Sequence, residues 1–296
     1  MTEKNPESKI FNSFKKALNN HGYGFQYKVL KEASDLSEES GFPWMFVVGE
    51  FPVNVTNYDT RIDFILKNIK YPLYLICECK RANPAIQNWC FVRAPYVHEY
   101  QKKFNPITLE RIRHDCANPY RAEAYILEKQ NSDAYHISIE IRSGEKGESH
   151  TKGRGSIEEA VTQVMKGLNG YANYISKQKN IIPEKKWIDM LPVIFTTAKL
   201  WVSNINLSNS DINSGQIDFK ESSFEEKNWL WYQYHLSPSL KHGLPIHDPP
   251  VDIIETLDKL YGRSIAIVNP NGIKEFLTKL HESSIFIKGT YNQSNV

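Results

Sequence analysis

Residues 61–81 read RIDFILKNIKYPLYLICECKR, and charges set inside apolar, β-forming stretches constrain this chain more than any other feature. Ile62–Leu66 and Leu73–Cys77 are joined by Lys67–Pro72. The first stretch carries Asp63 near its start, and the second runs on into Glu78-Cys79-Lys80. A carboxylate in such a strand is costly to bury unless something pairs with it.

Strand geometry says more. A turn between Lys70 and Tyr71 sets Asp63 opposite Glu78, with Cβ atoms ~5 Å apart. Two carboxylates at that distance repel each other unless a cation lies between them, and a divalent cation points to phosphodiester chemistry. Alternation sends Glu78 and Lys80 to one face and Cys77 and Cys79 to the other. The thiols then go to the buried face and the charged pair to the open one. A hairpin at a sheet edge, its charges solvated or salt-bridged, is the plainer alternative. The tripeptide pattern E-x-K is not informative alone, because it starts four times here, at Glu7, Glu78, Glu184 and Glu225. Only Glu78 ends an apolar strand preceded by a strand that bears an acid.

The remaining pattern is that of an α/β chain. Apolar residues Ile10, Phe11, Phe14, Ala17 and Leu18 predict a helix from Asn5 to His21, with Pro6 and Gly22 at its ends. Tyr23–Leu30 is expected as a strand and Glu32–Phe42 as a loop. Trp44–Val55 is strand-rich, and strands follow at about 60–67 and 72–80. Residues 82–155 read as a mixed insertion with a strand at Tyr135–Arg142 and a mobile Gly-rich loop at 143–155. A helix runs from Ser156 to about Lys177, with Ser156 and Glu159 as a capping box. Leu191–Val202 and Asn228–Leu236 are expected strands. A helix at 250–261, strand Ser264–Val268 and a helix at 270–281 complete the pattern. Residues 1–285 are read as a single domain carrying the insertion at 82–155, and 286–296 as a polar tail.

Composition narrows the function classes. With a net charge of +2 over 296 residues, nucleic-acid binding must come from local patches. The start MTEKNPESK has no signal-peptide apolar region, and no apolar run reaches the ~18 residues of a membrane span. Cys77, Cys79, Cys90 and Cys116 are too irregular for a disulfide framework or a zinc knuckle. A cytoplasmic protein with free thiols and no membrane partner is expected. No P-loop or GxGxxG is present, so ATP-driven translocation is not encoded in this chain.

Ile62-Asp63 followed by Glu78-Cys79-Lys80, in a strand–turn–strand context, resembles the PD-(D/E)XK nuclease superfamily, the restriction-endonuclease-like fold. Ile62 stands where many members have Pro. The resemblance directly covers about 61–81 and extends loosely to the helix at 156–177 and the strand at 191–202. It implies a central mixed β-sheet flanked by helices in the order α-β-β-β-α-β, with an insertion after the catalytic strand. It also implies a metal-dependent deoxyribonuclease of bacterial restriction or anti-phage defence. Asp63 and Glu78 would hold Mg²⁺, or Mn²⁺ in its place, together with the Cys79 backbone carbonyl and water. Lys80 would position water and stabilise the transition state. Some members add a Glu from the first helix: Glu7 is the best-placed candidate, and Glu50 competes. RecB-like members have a supporting Gln and Tyr on the following helix, and Gln163 with Tyr171 matches that loosely.

Basic and aromatic residues near Lys80 suit a DNA groove: Arg81, Arg93, Lys102 and Lys103 with Trp89, Phe91, Tyr96 and Tyr100. A satellite core of the insertion would explain them equally well. Lys152 and Arg154, with Arg142 and Lys146, could clamp phosphates or simply be solvated. Trp229, Trp231, Tyr232 and Tyr234 fit core packing or a dimer surface better than base stacking. Cutting both strands of DNA would suit a homodimer, and the low net charge would suit a partner protein for target recognition. A catalytically silent nucleic-acid-binding module on the same fold is the alternative function.

Overall fold

In the computed structural model the described residues are 6–55, 58–93, 107–113, 121–127, 134–141, 155–178, 187–220, 222–235 and 262–282. Strand β1 (Trp44–Val55) pairs antiparallel with β2 (Tyr58–Asn68), and β2 with β3 (Leu73–Lys80). The register Phe64↔Cys77, Ile65↔Ile76, Leu66↔Leu75 is that of a turn between Lys70 and Tyr71. Asn68 fixes the turn: its side-chain oxygen accepts the Lys70 and Tyr71 N–H groups at 3.0 and 3.1 Å.

The sheet continues through β9 (Trp187–Thr196), parallel to β3, and β13 (Gly262–Val268), parallel to β9. It then passes to β12 (Trp229–His235), antiparallel to β13, and ends at the short β7 (Ala134–Tyr135). Strand β5 (Ile107–Arg113) joins β9 antiparallel and carries β6 (Arg121–Leu127) with it. On that edge of β9, β5 covers residues 187–190 and β13 covers 193–195. Pro192 falls in the gap, where a missing N–H costs least. A second sheet has the order β11 (Phe224–Lys227), β10 (Lys199–Ser203), β4 (Asn88–Val92), β8 (Ile137–Ile141). The chain is thus α/β, with a mixed central sheet flanked by helices.

Both faces of that sheet are covered, which explains the near-continuous apolar sequence of β9. On one face, helix α3 (Ser156–Ser176) packs Val161, Val164, Met165 and Leu168 over Ile65, Ile76, Met190 and Ile194. Gly167 lies against Ile62, whose nearest atom would sit 3.0 Å from a Cβ there. On the other face, α2 (Tyr23–Glu38) and α4 (Ile273–Glu282) cover Phe64, Leu75, Cys77, Val193 and Phe195.

Several expectations are corrected. Tyr23–Leu30 is not a strand, nor is Glu32–Phe42 a loop through most of its length: both belong largely to α2. The alternating Tyr23, Phe25, Tyr27, Val29 imitates a strand, but Tyr23 and Tyr27 are exposed. The burial that holds the segment follows helical spacing, Val29, Ala33 and Leu36. Its polar face carries the pairs Lys28–Glu32 and Lys31–Asp35. Leu191–Val202 is not one strand: it breaks after Thr196, and β10 leaves for the second sheet. The described parts of 82–155 supply strands to both sheets: Trp89 and Phe91 join the α3-side core, while Cys90 and Val92 form a small separate cluster with Ile205. The expected loop at 143–154, the helix at 250–261 and the tail at 286–296 lie outside the described residues.

Helix α1 (Pro6–Asn20) forms as the pattern predicts, yet its apolar Ile10, Phe11, Phe14 and Leu18 are exposed. No described helix is long and apolar enough to cross a membrane.

Candidate active site

The site lies where β1 and β2 change direction. In a regular strand Ile62 and Phe64 would share a face. Here Ile62 packs on the α3 side and Phe64 on the α2 side. The ladder pairs Phe51 with Ile62 and Gly49 with Phe64, so Glu50 and Asp63 face each other across the break. Glu50 has φ 52°, the only positive φ outside glycine among the described residues. Left-handed backbone is uncommon for a residue with a Cβ, and such strain persists only where surrounding structure imposes it.

The β2–β3 ladder stops at Phe64↔Cys77. Beyond it, the Asp63 carboxylate takes over the bonding: its Oδ2 accepts the Cys79 N–H at 2.6 Å. Asp63 therefore reaches Glu78's strand, but it binds backbone rather than simply standing opposite a second carboxylate. Its Oδ1 accepts from Gln26 Nε2 of α2 at 3.0 Å. Gln26 Nε2 also donates to Glu50 Oε1, so one amide bridges the two facing acids. Arg61 Nη1 lies 3.8 Å from Glu50 Oε2.

Alternation in β3 is as expected: Cys77 and Cys79 pack with the α2-side core, while Tyr74 and Ile76 face α3. Glu78 and Lys80 share that α3 face. The face is less open than expected, because Glu78 is only 8% exposed. Lys80 Nζ pairs with Glu159 Oε2 of α3 at 2.8 Å. The Ser156–Glu159 capping box does not form. Gly155 is the N-cap, so Ser156 comes one position too late. Glu140 of β8 supplies the cap instead, its Oε1 accepting from Ser156 Oγ at 2.8 Å and Ile157 N at 2.7 Å. Glu159 is left to meet Lys80.

Burial and mutual repulsion shape the charges. Burial pushes the Asp63 carboxyl up to about 6; the Cys79 N–H opposes this, Glu50 adds to it and Lys80 opposes it. Glu78 is pushed well above the carboxylate range by burial first and Asp63 second; Lys80 opposes this, and Glu159 and Glu50 add to it. Glu50 thus acts on Asp63, and Asp63, Glu159 and Glu50 act on Glu78, with Lys80 opposing both shifts. Burial also raises the Cys77 and Cys79 thiols well above their ordinary value, which makes them poor nucleophiles at neutral pH.

The other candidates have varied positions. Glu7 lies in the first turn of α1, about 18 Å along the helix axis from Asn19 at the helical rise. Asn19 is the α1 residue whose carbonyl accepts from Arg81 Nη1. The helix that reaches Asp63 is α2, through Gln26. Gln163 is one turn beyond Glu159 on α3, and its buried Oε1 has no hydrogen-bond partner among the described residues. Tyr171 sits in an aromatic group with Phe51, Tyr74 and Tyr174. Arg93 lies over the Tyr135 ring, 5.8 Å from its centroid. Trp231 and Tyr232 are core residues. Lys152 and Arg154 lie outside the described residues, as do Tyr96, Tyr100, Lys102 and Lys103. Sequence reasoning missed Gln26 and the pairing role of Glu159. The helical spacing of Val29, Ala33 and Leu36 was the available signal for the first.

The chain matches no protein-family model, and no curated protein or solved structure shows significant similarity to it.

Proposed function

We propose that the chain is a Mg²⁺-dependent DNA endonuclease of the PD-(D/E)XK kind, with Asp63, Glu78 and Lys80 at its centre. One observation carries the reading: two acids burdened by burial and by neighbouring carboxylates lie beside a lysine where the β2–β3 ladder ends. The order of β1, β2, β3, α3 and β9 supports it, since β-β-β-α-β is the order the resemblance implies. Ile62 is a departure from the pattern, and the helix that reaches Asp63 is α2 rather than α1.

The donors fit a hard divalent cation. Carboxylate oxygens are its preferred ligands, and a cation would offset the burial and the neighbouring carboxylates that raise Asp63 and Glu78. Among the described residues no three or more His, Cys, Asp or Glu are arranged to hold an ion. Asp63 and Glu78 would hold it with the Cys79 carbonyl and water. Bound there, the cation would lower the pKa of a coordinated water and offset charge on the scissile phosphate. Gln26 and the Cys79 N–H hold the Asp63 carboxylate in one orientation. Lys80 donates to the attacking water and the phosphate oxygens, where negative charge grows. DNA as substrate, a defence role, homodimerisation and a partner for target recognition extend the same resemblance.

The test is plasmid cleavage with Mg²⁺ or Mn²⁺, repeated with EDTA and with Lys80→Ala. Nicking or cutting that requires the cation and falls by at least about 100-fold in Lys80→Ala is expected. Undiminished cutting by folded Lys80→Ala would overturn the assignment. A folded wild type that binds DNA without cutting it would leave the silent binding module.

A further inference from the structure

We infer that Glu159 is a positioning residue of this site: it holds the Lys80 ammonium away from Glu78, leaving the Glu78 carboxylate free for a cation. The inference rests on the nuclease reading.

Glu78 and Lys80 are two apart in β3 and share the α3 face, so they are each other's nearest opposite charges on the strand. A lysine side chain is a flexible stem with a point charge at its end. With nothing else to accept from it, the ammonium would fold back on Glu78 and neutralise the group the cation needs. Glu159 supplies a competing acceptor at 2.8 Å. Lys80 is largely buried at 19% side-chain exposure, whereas Glu159 is 56% exposed. The ammonium is thus drawn away from the buried Glu78 toward solvent, from which a phosphate would arrive.

Two plainer roles for Glu159 fit less well. An acid favouring the helix N-terminus needs no partner, yet Glu159 has one on the catalytic strand. A capping-box acid would reach back to the N-cap, but Glu140 already caps α3 through Ser156 and Ile157. That clamp also fixes the turn from which Glu159 projects. Glu159 is the exposed end of this half-buried pair, and Gln keeps an oxygen to accept from the ammonium, so Glu159→Gln should leave the fold intact.

The experiment is a double-mutant cycle on the full chain, read by Mn²⁺ binding without DNA and by single-turnover plasmid cleavage. Glu159→Gln should melt at the wild-type temperature. It should bind Mn²⁺ about 10-fold more weakly and cleave about 10–100-fold more slowly at saturating DNA, the usual effect of a misplaced group. In a Lys80→Met background, Glu159→Gln should leave Mn²⁺ affinity unchanged, because no ammonium remains to be held aside. Equal weakening in both backgrounds would mean that Glu159 acts only as one more negative charge, and would overturn the inference. Unchanged Mn²⁺ binding in Glu159→Gln alone would do the same. A wild type that cuts while the cycle is additive refutes the positioning role alone. A wild type that neither cuts nor binds Mn²⁺ refutes the nuclease reading, and the inference with it.

Discussion

Asp63 is a carboxylate held where its charge is costly. Its pKa in the fold is about 6, raised from 3.8. A raised carboxyl favours the folded state below the ordinary value, and that contribution is lost as pH rises through about 6. The shift corresponds to about 3 kcal/mol once the group is fully ionised. Asn in its place keeps an oxygen for the Cys79 N–H and gives up the bond from Gln26, whose amide stays on Glu50. Asp63→Asn is therefore expected to gain about 1–3 kcal/mol at pH 8 in EDTA, to lose that gain toward pH 4, and to be inactive. Urea denaturation at pH 4, 6 and 8 measures it, and a variant less stable at every pH would refute the account. Mg²⁺ should narrow the gap by stabilising only the wild type. At this scale the sequence was legible for Asp63, Glu78 and Lys80, because lone charges stand out against apolar neighbours. Gln26 and Glu159 carry no such contrast: each is a polar residue on a helix, and only its partner marks it.

Strand β3 and helix α3 are the elements that meet at the site. The hairpin register could be read because strand side chains repeat every two residues and a tight turn sets the pairing. The break at Glu50 and Asp63 could not, since Gly49-Glu50 has no local signature of a strand changing faces. Helix α3 was legible from its apolar spacing, but its cap was not, because the capping acid Glu140 comes from β8. Glu140→Ala should cost about 1–2 kcal/mol, as loss of an N-cap does. Cleavage should fall in the same variant, since the turn bearing Glu159 is no longer clamped. A thermal melt alongside a cleavage rate checks both, and a full rate in a destabilised variant would separate the clamp from the site.

Across the whole molecule, β9 ties the layers together. It is buried on both faces and edged by β3, β5 and β13. Two buried ion pairs lie where β5, β9 and β13 meet. Arg111 binds Asp189 through two bonds of 2.7 and 2.9 Å, and Arg263 reaches Glu110 at 2.8 Å. Breaking a buried pair from one side strands a charge. Asp189→Ala is expected to lose about 3–5 kcal/mol with the cleavage rate per folded molecule unchanged, as denaturation and active-site titration would show. A loss below about 1 kcal/mol would mean that water reaches Arg111.

What the sequence determined by itself was periodic and local: the turn at Lys70–Tyr71, the pairing that brings Asp63 to Glu78's strand, and the shared face of Glu78 and Lys80. These follow from strand geometry, which needs only neighbours along the chain. The tertiary structure decided how deeply the acids are buried, that Gln26 bridges Asp63 to Glu50, and that Lys80 meets Glu159. Those contacts join a helix before the hairpin and a helix far beyond it. They are set by how α2 and α3 pack on opposite faces of one sheet, which no local pattern specifies.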